Sequence, residues 1–179
     1  MNSPDKLFKI VVEASFYEAK TQNVEAQLTG HAWPNTQLIL GGHHDTVLNS
    51  SGGNDNASGT IAVLETARVL AALRSELGIS PGCTIRFATF SAEEQRLAGA
   101  GEYAKQHCNP ENNTRLVINL DELSTGYFKG VVLAFPHLRT LIQSQLDSMG
   151  DGLRCHVMSQ LDSTSDHFPF LRRGIDAAH

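Results

Sequence analysis

Five short segments of this chain carry residue types that could do chemistry together. His43-His44-Asp45 sets an imidazole and a carboxylate two positions apart, so on extended backbone both face the same way. A histidine that binds metal usually donates its other ring proton to a carboxylate, and Asp45 suits that support of His43. Alone, the segment reads more simply as a pair of exposed loop histidines. Gly53-Asn54-Asp55-Asn56-Ala57-Ser58-Gly59 offers Asp55, whose two oxygens can bridge two cations, with Gly53 and Gly59 suited to a tight backbone path. Alone, it reads as a polar loop capping the next helix. Ser91-Ala92-Glu93-Glu94-Gln95 places two glutamates in a turn, where neighbours point in different directions. One can bind a metal while the other moves protons, although acids are favoured at any helix start.

Two further segments follow. Asn119-Leu120-Asp121 ends an apolar run in an acid, and a buried charge needs a partner. Ser165-Asp166-His167 adds a second imidazole late in the chain. Each signal is weak by itself, and a capping or exposed polar residue explains any one of them. Together they supply two imidazoles, three carboxylates and a spare glutamate. Nitrogen and oxygen donors without thiolate suit zinc, and would also accept manganese or cobalt. One bridging carboxylate among five donors is the inventory of a two-metal hydrolase.

The elements that must position these groups alternate between strand and helix. Gln37 to Gly42 reads as a buried strand, and Ser58 to Leu77 as a helix with Val63, Ala67, Leu70, Leu73 and Leu77 on one stripe. Gly78 and then Pro81 mark its stop. Thr84 to Phe90 is a strand, Ala98 to Gln106 a helix, and Leu116 to Leu120 and Val131 to Phe135 are strands. Pro136 opens a helix reaching about Ser148, Cys155 to Met158 is a short strand, His167 to Arg173 a helical turn, and Ile175 to Ala178 the start of one more strand. This alternation predicts an α/β fold: a mostly parallel, mixed sheet with helices on both faces. Sites in such sheets lie beyond the carboxyl ends of the strands. His43, Glu93, Glu94 and Asp121 all follow predicted strands, and Asp55 sits in a loop before a helix.

The order and wording of these segments resemble the bridged di-zinc exopeptidases: bacterial leucyl aminopeptidases, aminopeptidase Y and the glutamate carboxypeptidase relatives. The matching stretches run from Gly42 to His167, about two thirds of the chain. A neighbouring zinc exopeptidase family also has H-x-D and paired glutamates, but its bridging acid lies much further on, whereas Asp55 follows Asp45 by ten positions. The resemblance implies a three-layer catalytic domain over 1–179 and two zinc ions per chain. His43 and Asp121 would hold one ion, Glu94 and His167 the other, and Asp55 would bridge them. Glu93 would be the general base, with Asp45 behind His43. It also implies a cis peptide after Asp55. The implied activity is removal of N-terminal residues from peptide substrates. A carboxypeptidase or dipeptidase, a one-zinc glutaminyl cyclase, or an inactive interaction domain are the rival functions of this fold.

Two departures qualify the resemblance. His44 stands where the family often has tyrosine. Relatives also continue past the strand equivalent to Ile175–Ala178 and begin with a longer N-terminal helix, which points to a partial sequence and to an apolar sheet surface left bare at that strand. Glu122, beside Asp121, could favour a basic substrate residue, although a hydrogen-bonded glutamate is the simpler reading.

Composition narrows the rest. With 41% hydrophobic and 18% charged residues over 179 positions, the chain can build one substantial core. A net charge of −5 argues against binding nucleic acid, and no apolar run is long enough to span a bilayer. The first residues are not a secretory signal, so the expected location is cytoplasmic if the chain is complete, and exported if a leader is missing. Cys83, Cys108 and Cys155 are odd in number and contain no C-x-x-C pair, which suits inert thiols. Asn56-Ala57-Ser58 and Asn112-Asn113-Thr114 match the glycosylation pattern, a match too short to weigh much.

Overall fold

The computed structural model describes residues 9–15, 17–108, 113–124, 126, 130–149 and 156–179. Its strands are β1 (Val24–Leu28), β2 (Trp33–His43), β3 (Cys83–Phe90), β4 (Asn113–Asn119), β5 (Gly130–Leu133), β6 (His156–Ser159) and β7 (Ala177–Ala178). The helices are α1 (Ala57–Leu77), α2 (Ala98–His107), α3 (Arg139–Ser148) and α4 (Phe168–Leu171). All seven strands join one sheet in the order β1-β3-β2-β4-β7-β5-β6. The pairs β2–β3, β2–β4, β4–β7 and β5–β6 are parallel, and β1–β3 and β5–β7 are antiparallel.

Alternation along the strands assigns the two faces. Ile39, Ala88, Phe90, Val117 and Ala177 point to one side and pack with Ala100, Tyr103 and Ala104 of α2 and Phe170 and Leu171 of α4. Phe90 anchors this core: it is fully buried and meets the Tyr103 ring edge-on, with centroids 5.4 Å apart. Truncating such a ring to alanine costs about 3–5 kcal/mol. Leu133, Val157 and Ala178 point to the opposite side and pack with Leu138, Ile142 and Leu146 on and beside α3. α1 shares that side, where the glycine face of β2 lets it approach: a Cβ on Gly42 would come within 2.5 Å of the Leu120 carbonyl oxygen.

α1 ends where the glycine signal puts it. Gly78 is left-handed at φ 68°, and the Ile79 amide donates to the Leu73 carbonyl, closing the last turn. Elsewhere the structure departs from the sequence expectation. β1 is an additional strand, short and exposed, at the sheet edge. It is held by its antiparallel backbone ladder with β3, and its Glu25 also accepts from Arg86 of β3 and from the Tyr103 hydroxyl. The segment after Pro136 first makes a 3₁₀ turn at Pro136–Leu138 before α3 begins. β7 is only two residues long, and both are buried, so no bare apolar surface opens at that strand. Exposed apolar side chains instead line the outer side of α1, at Ile61 and Leu64. Cys83 and Cys108 are free thiols, and Cys155 lies outside the described residues. No helix among the described residues is long and apolar enough to cross a membrane.

Candidate active site

The parallel strands β2, β3 and β4 deliver their carboxyl ends to one place. His43 is the last residue of β2, Glu93 and Glu94 follow β3, and Asp121 follows β4. The loop into α1 brings Asp55 beside them. At the centre, His43 Nε2 lies 3.1 Å from Asp55 Oδ1, 3.3 Å from Asp121 Oδ1 and 4.0 Å from Glu93 Oε2. His43 is buried, and its Nδ1 faces the backbone carbonyl of Asp45 at 3.0 Å. Donation from Nδ1 to that carbonyl leaves Nε2 directed at the carboxylates.

Asp45 therefore supports His43 differently from the expectation. Its carboxylate stands 3.6 Å from Nδ1, too far for a good hydrogen bond. It accepts instead from the amides of Glu93 and Glu94, at 3.0 and 3.3 Å. Asp45 thus ties the glutamate turn to the end of β2 by its side chain and orients His43 by its main chain.

The bridging loop is held by a residue whose importance the sequence reading did not bring out. Asn56 is buried and caps α1: its Oδ1 accepts from the Gly59 amide at 2.9 Å and from the Glu122 amide at 3.3 Å. Its Nδ2 donates to the Leu120 carbonyl at 2.9 Å. One side chain thereby joins the loop carrying Asp55 to the strand end carrying Asp121. An Asn one residue before a helical pattern is the signal that could have found it. With its amide so engaged and buried, Asn56 is unsuited to glycosylation. The Asp55–Asn56 peptide is cis, as the resemblance implies. Gly59 is required by contact, since a Cβ there would lie 2.0 Å from the Leu120 carbonyl oxygen, whereas Gly53 meets nothing within 4 Å and is not needed for space. Glu122 accepts from the Asn54 side chain at 3.1 Å, the simpler of its two readings.

Asp121 is oriented by a buried relay: Asn119 Nδ2 donates to Ser165 Oγ, and Ser165 Oγ donates to Asp121 Oδ2, each at 2.7 Å. Burial opposes its charge, but the neighbouring His43 imidazole and the hydrogen bond from Ser165 hold its pKa below the usual value. Burial would lower His43, yet Asp121, Asp166 and Glu93 outweigh it and push the imidazole up to about 9. Burial raises Glu93 to about 7, against the pull of His43. Burial also raises Glu94, with Asp55 adding to the shift. Asp166 is fully enclosed, its oxygens have no hydrogen-bond partner, and burial pushes it up to about 8.

The structure does not bring His167 to Glu94. Among the described residues, no group of three metal-type donors contains both. His167 Nε2 faces the Asp162 carbonyl at 3.0 Å, and its ring stacks on His179 with centroids 4.7 Å apart. The segment before α4 turns this imidazole toward the end of β7, so the second imidazole expected beside Glu94 is not supplied by His167. His43, Asp55 and Asp121 form the compact donor group, with donor atoms within 4.8 Å of one another.

With this geometry in place, comparison with known proteins is decisive for ancestry: residues 23–179 match Peptidase family M28. The chain belongs to that family. Aminopeptidase YwaD of Bacillus subtilis is 32% identical over 185 aligned positions, which cover 90% of this chain and 39% of the relative. Aminopeptidase Y of Saccharomyces cerevisiae is 35% identical, over 88% of this chain and 29% of its own length. The structure of the zinc aminopeptidase BSAP from Bacillus subtilis superposes with a TM-score of 0.71 and 28% identity, over 87% of this chain and 38% of that one. The chain thus spans well under half the length of these relatives, and the family match over 23–179 takes in the sheet, α1 and α2, and the loops bearing His43, Asp55, Glu93, Glu94 and Asp121.

Proposed function

We propose that this chain is the catalytic core of a zinc-dependent exopeptidase that removes N-terminal amino acids from peptides. The observation that carries the reading is the convergence on His43 Nε2 of Asp55 and Asp121, with the Glu93 carboxylate 4.0 Å away. The donors fit a metal. Glu94 Oε1 is buried without a hydrogen-bond partner, and Asp121 Oδ1 has only the His43 imidazole 3.3 Å away, a costly state for carboxylates that no metal ion faces. His43 and Asp121 would hold one zinc, and Glu94 a second, with Asp55 shared between them. When bound, zinc supplies Lewis-acid charge that polarises a peptide carbonyl and acidifies water.

The chain's own groups supply the proton movement. Burial raises Glu93 to about 7 in the metal-free chain, and cations beside it would draw that value down, leaving a carboxylate able to take a proton at neutral pH. It would accept the proton of the attacking water and return it to the leaving amine. Asp45 holds the Glu93 amide, so the carboxylate is presented from a fixed turn. The relatives named aminopeptidases support trimming from the amino end.

The test is hydrolysis of aminoacyl anilides beside N-blocked peptides, with and without added zinc. Zinc-dependent release from the free-amine substrates alone supports the proposal. Cleavage of blocked peptides from the carboxyl end would move the assignment to a carboxypeptidase. Zinc binding without any turnover would favour an inactive binding domain.

A further inference from the structure

A second group of metal-type donors stands apart from the His43 cluster. Asp162, His167 and His179 each offer one ligand atom, all within 4.8 Å of one another. They come from the loop after β6, the residue before α4 and the end of β7. His179 is fixed there by paired backbone hydrogen bonds with Val132. Asp162 Oδ2 lies 3.6 Å from His179 Nδ1. Nδ1 of His167 and Nδ1 of His179 are both buried without a hydrogen-bond partner. Two enclosed imidazole nitrogens with nothing to bind, next to a carboxylate, are an unsatisfied polar cluster of the kind that needs an explanation.

We propose that Asp162, His167 and His179 form a separate binding site for a divalent transition-metal ion of the zinc class. Two imidazoles and one carboxylate are a zinc-type donor set with room left for water, and imidazole argues against calcium or magnesium. Tetrahedral zinc places its ligand atoms about 3.3 Å apart, so the present spacing must tighten modestly. The ring planes now lie 23° from parallel, and two stacked imidazoles cannot both aim their lone pairs at one ion. Binding therefore requires the half-buried His179 ring to tilt off the stack, while the buried His167 stays in place. The ion would pin the 162–167 segment to the end of β7. That segment carries Ser165, which donates to Asp121. Occupancy here would thus steady one ligand of the neighbouring cluster without sharing a donor with it.

The inference does not rest on the peptidase reading, and zinc itself is the probe. Zinc binding is counted by calorimetry on the chelator-stripped chain and on its Asp162→Asn and His179→Gln variants, while ¹⁵N spectra of the wild-type chain follow the imidazole nitrogens. The expected result is a zinc-dependent shift of one ring nitrogen in each of His167 and His179, persisting in His43→Gln. Each of the Asp162 and His179 variants should lose that ion or bind it at least about tenfold more weakly, no less than the loss of an outer-shell partner costs. If a variant fails to fold, the wild-type spectra still decide. Ring nitrogens of His167 and His179 that stay at their metal-free positions while His43 shifts would overturn the site. So would a folded His179→Gln chain that binds as many ions as wild type with equal affinity.

Discussion

Asn56→Ala should do more damage than its position beside the donors suggests. The asparagine makes three hydrogen bonds while buried: to the Gly59 amide, the Glu122 amide and the Leu120 carbonyl. Loss of a helix cap costs about 1 kcal/mol. Each further hydrogen bond is worth about 0.5–1.5 kcal/mol, and more where the abandoned partner stays buried. The sum is about 2–4 kcal/mol, which for a chain of this size lowers Tm by about 4–16 °C. Urea unfolding followed by circular dichroism reads the stability, and zinc titration reads the site. Because Asn56 is the tie between the Asp55 loop and the β4 end, zinc affinity should also fall, by about 10–100-fold, as for other groups that orient ligands. Asn56→Asp keeps the oxygen that caps α1 but turns an oxygen toward the Leu120 carbonyl, so it should recover only the cap. A loss below about 0.5 kcal/mol, or a folded Asn56→Ala chain with unchanged zinc affinity, would refute the reasoning.

Three other outcomes follow from the same geometry. Glu93→Gln preserves shape and should leave zinc content intact while turnover of aminoacyl anilides falls by about 10²–10⁴; equal turnover would remove Glu93 as the base. Gly59→Ala drives a Cβ into the Leu120 carbonyl oxygen and should cost at least about 2 kcal/mol in denaturant unfolding. In the metal-free chain Glu93 is raised from 4.5 to about 7, Asp166 from 3.8 to about 8 and His43 from 6.5 to about 9, with Glu94 raised too, while burial lowers His167 from 6.5 to about 4. A raised folded pKa means stability lost as pH rises through the folded value, whereas the lowered His167 adds stability between about pH 4 and 6.5, so metal-free stability should decline from about pH 6.5 to 9. Bound zinc should flatten that decline, and a metal-free chain whose melting temperature rises over this range would contradict it.

What the sequence made legible follows from what is local. Helix 57–77 was readable because its stripe, its glycine stop and its proline lie within one continuous segment. The cores of β2, β3 and β4 were readable because buried parallel strands are short apolar runs. His43, Asp55 and Asp121 could be singled out because each sits directly after a strand or before a helix, where the fold class concentrates polar groups. β1 was not readable, since it is exposed and its ladder with β3 and the contacts of Glu25 with Arg86 and Tyr103 join residues about sixty or more positions apart. Asp162 and His179 lacked any signal, because the loop after β6 and the end of β7 meet only once the sheet is assembled.

The case of His167 shows why a motif residue cannot be assigned by its type alone. Ser165-Asp166-His167 lies in family order, yet its three side chains go to three places. Ser165 reaches Asp121 and steadies a donor of the main cluster. Asp166 is enclosed and shares its field with His43 and Glu93. His167 turns away to Asp162 and His179. Adjacent residues at the start of a short helix fan out by roughly a quarter-turn or more each, so at most one of them can face a given point. Here the serine takes the place facing Asp121. The imidazole is left to a separate group, and that division, set by backbone direction rather than by donor chemistry, decides which of the three reaches the His43 group.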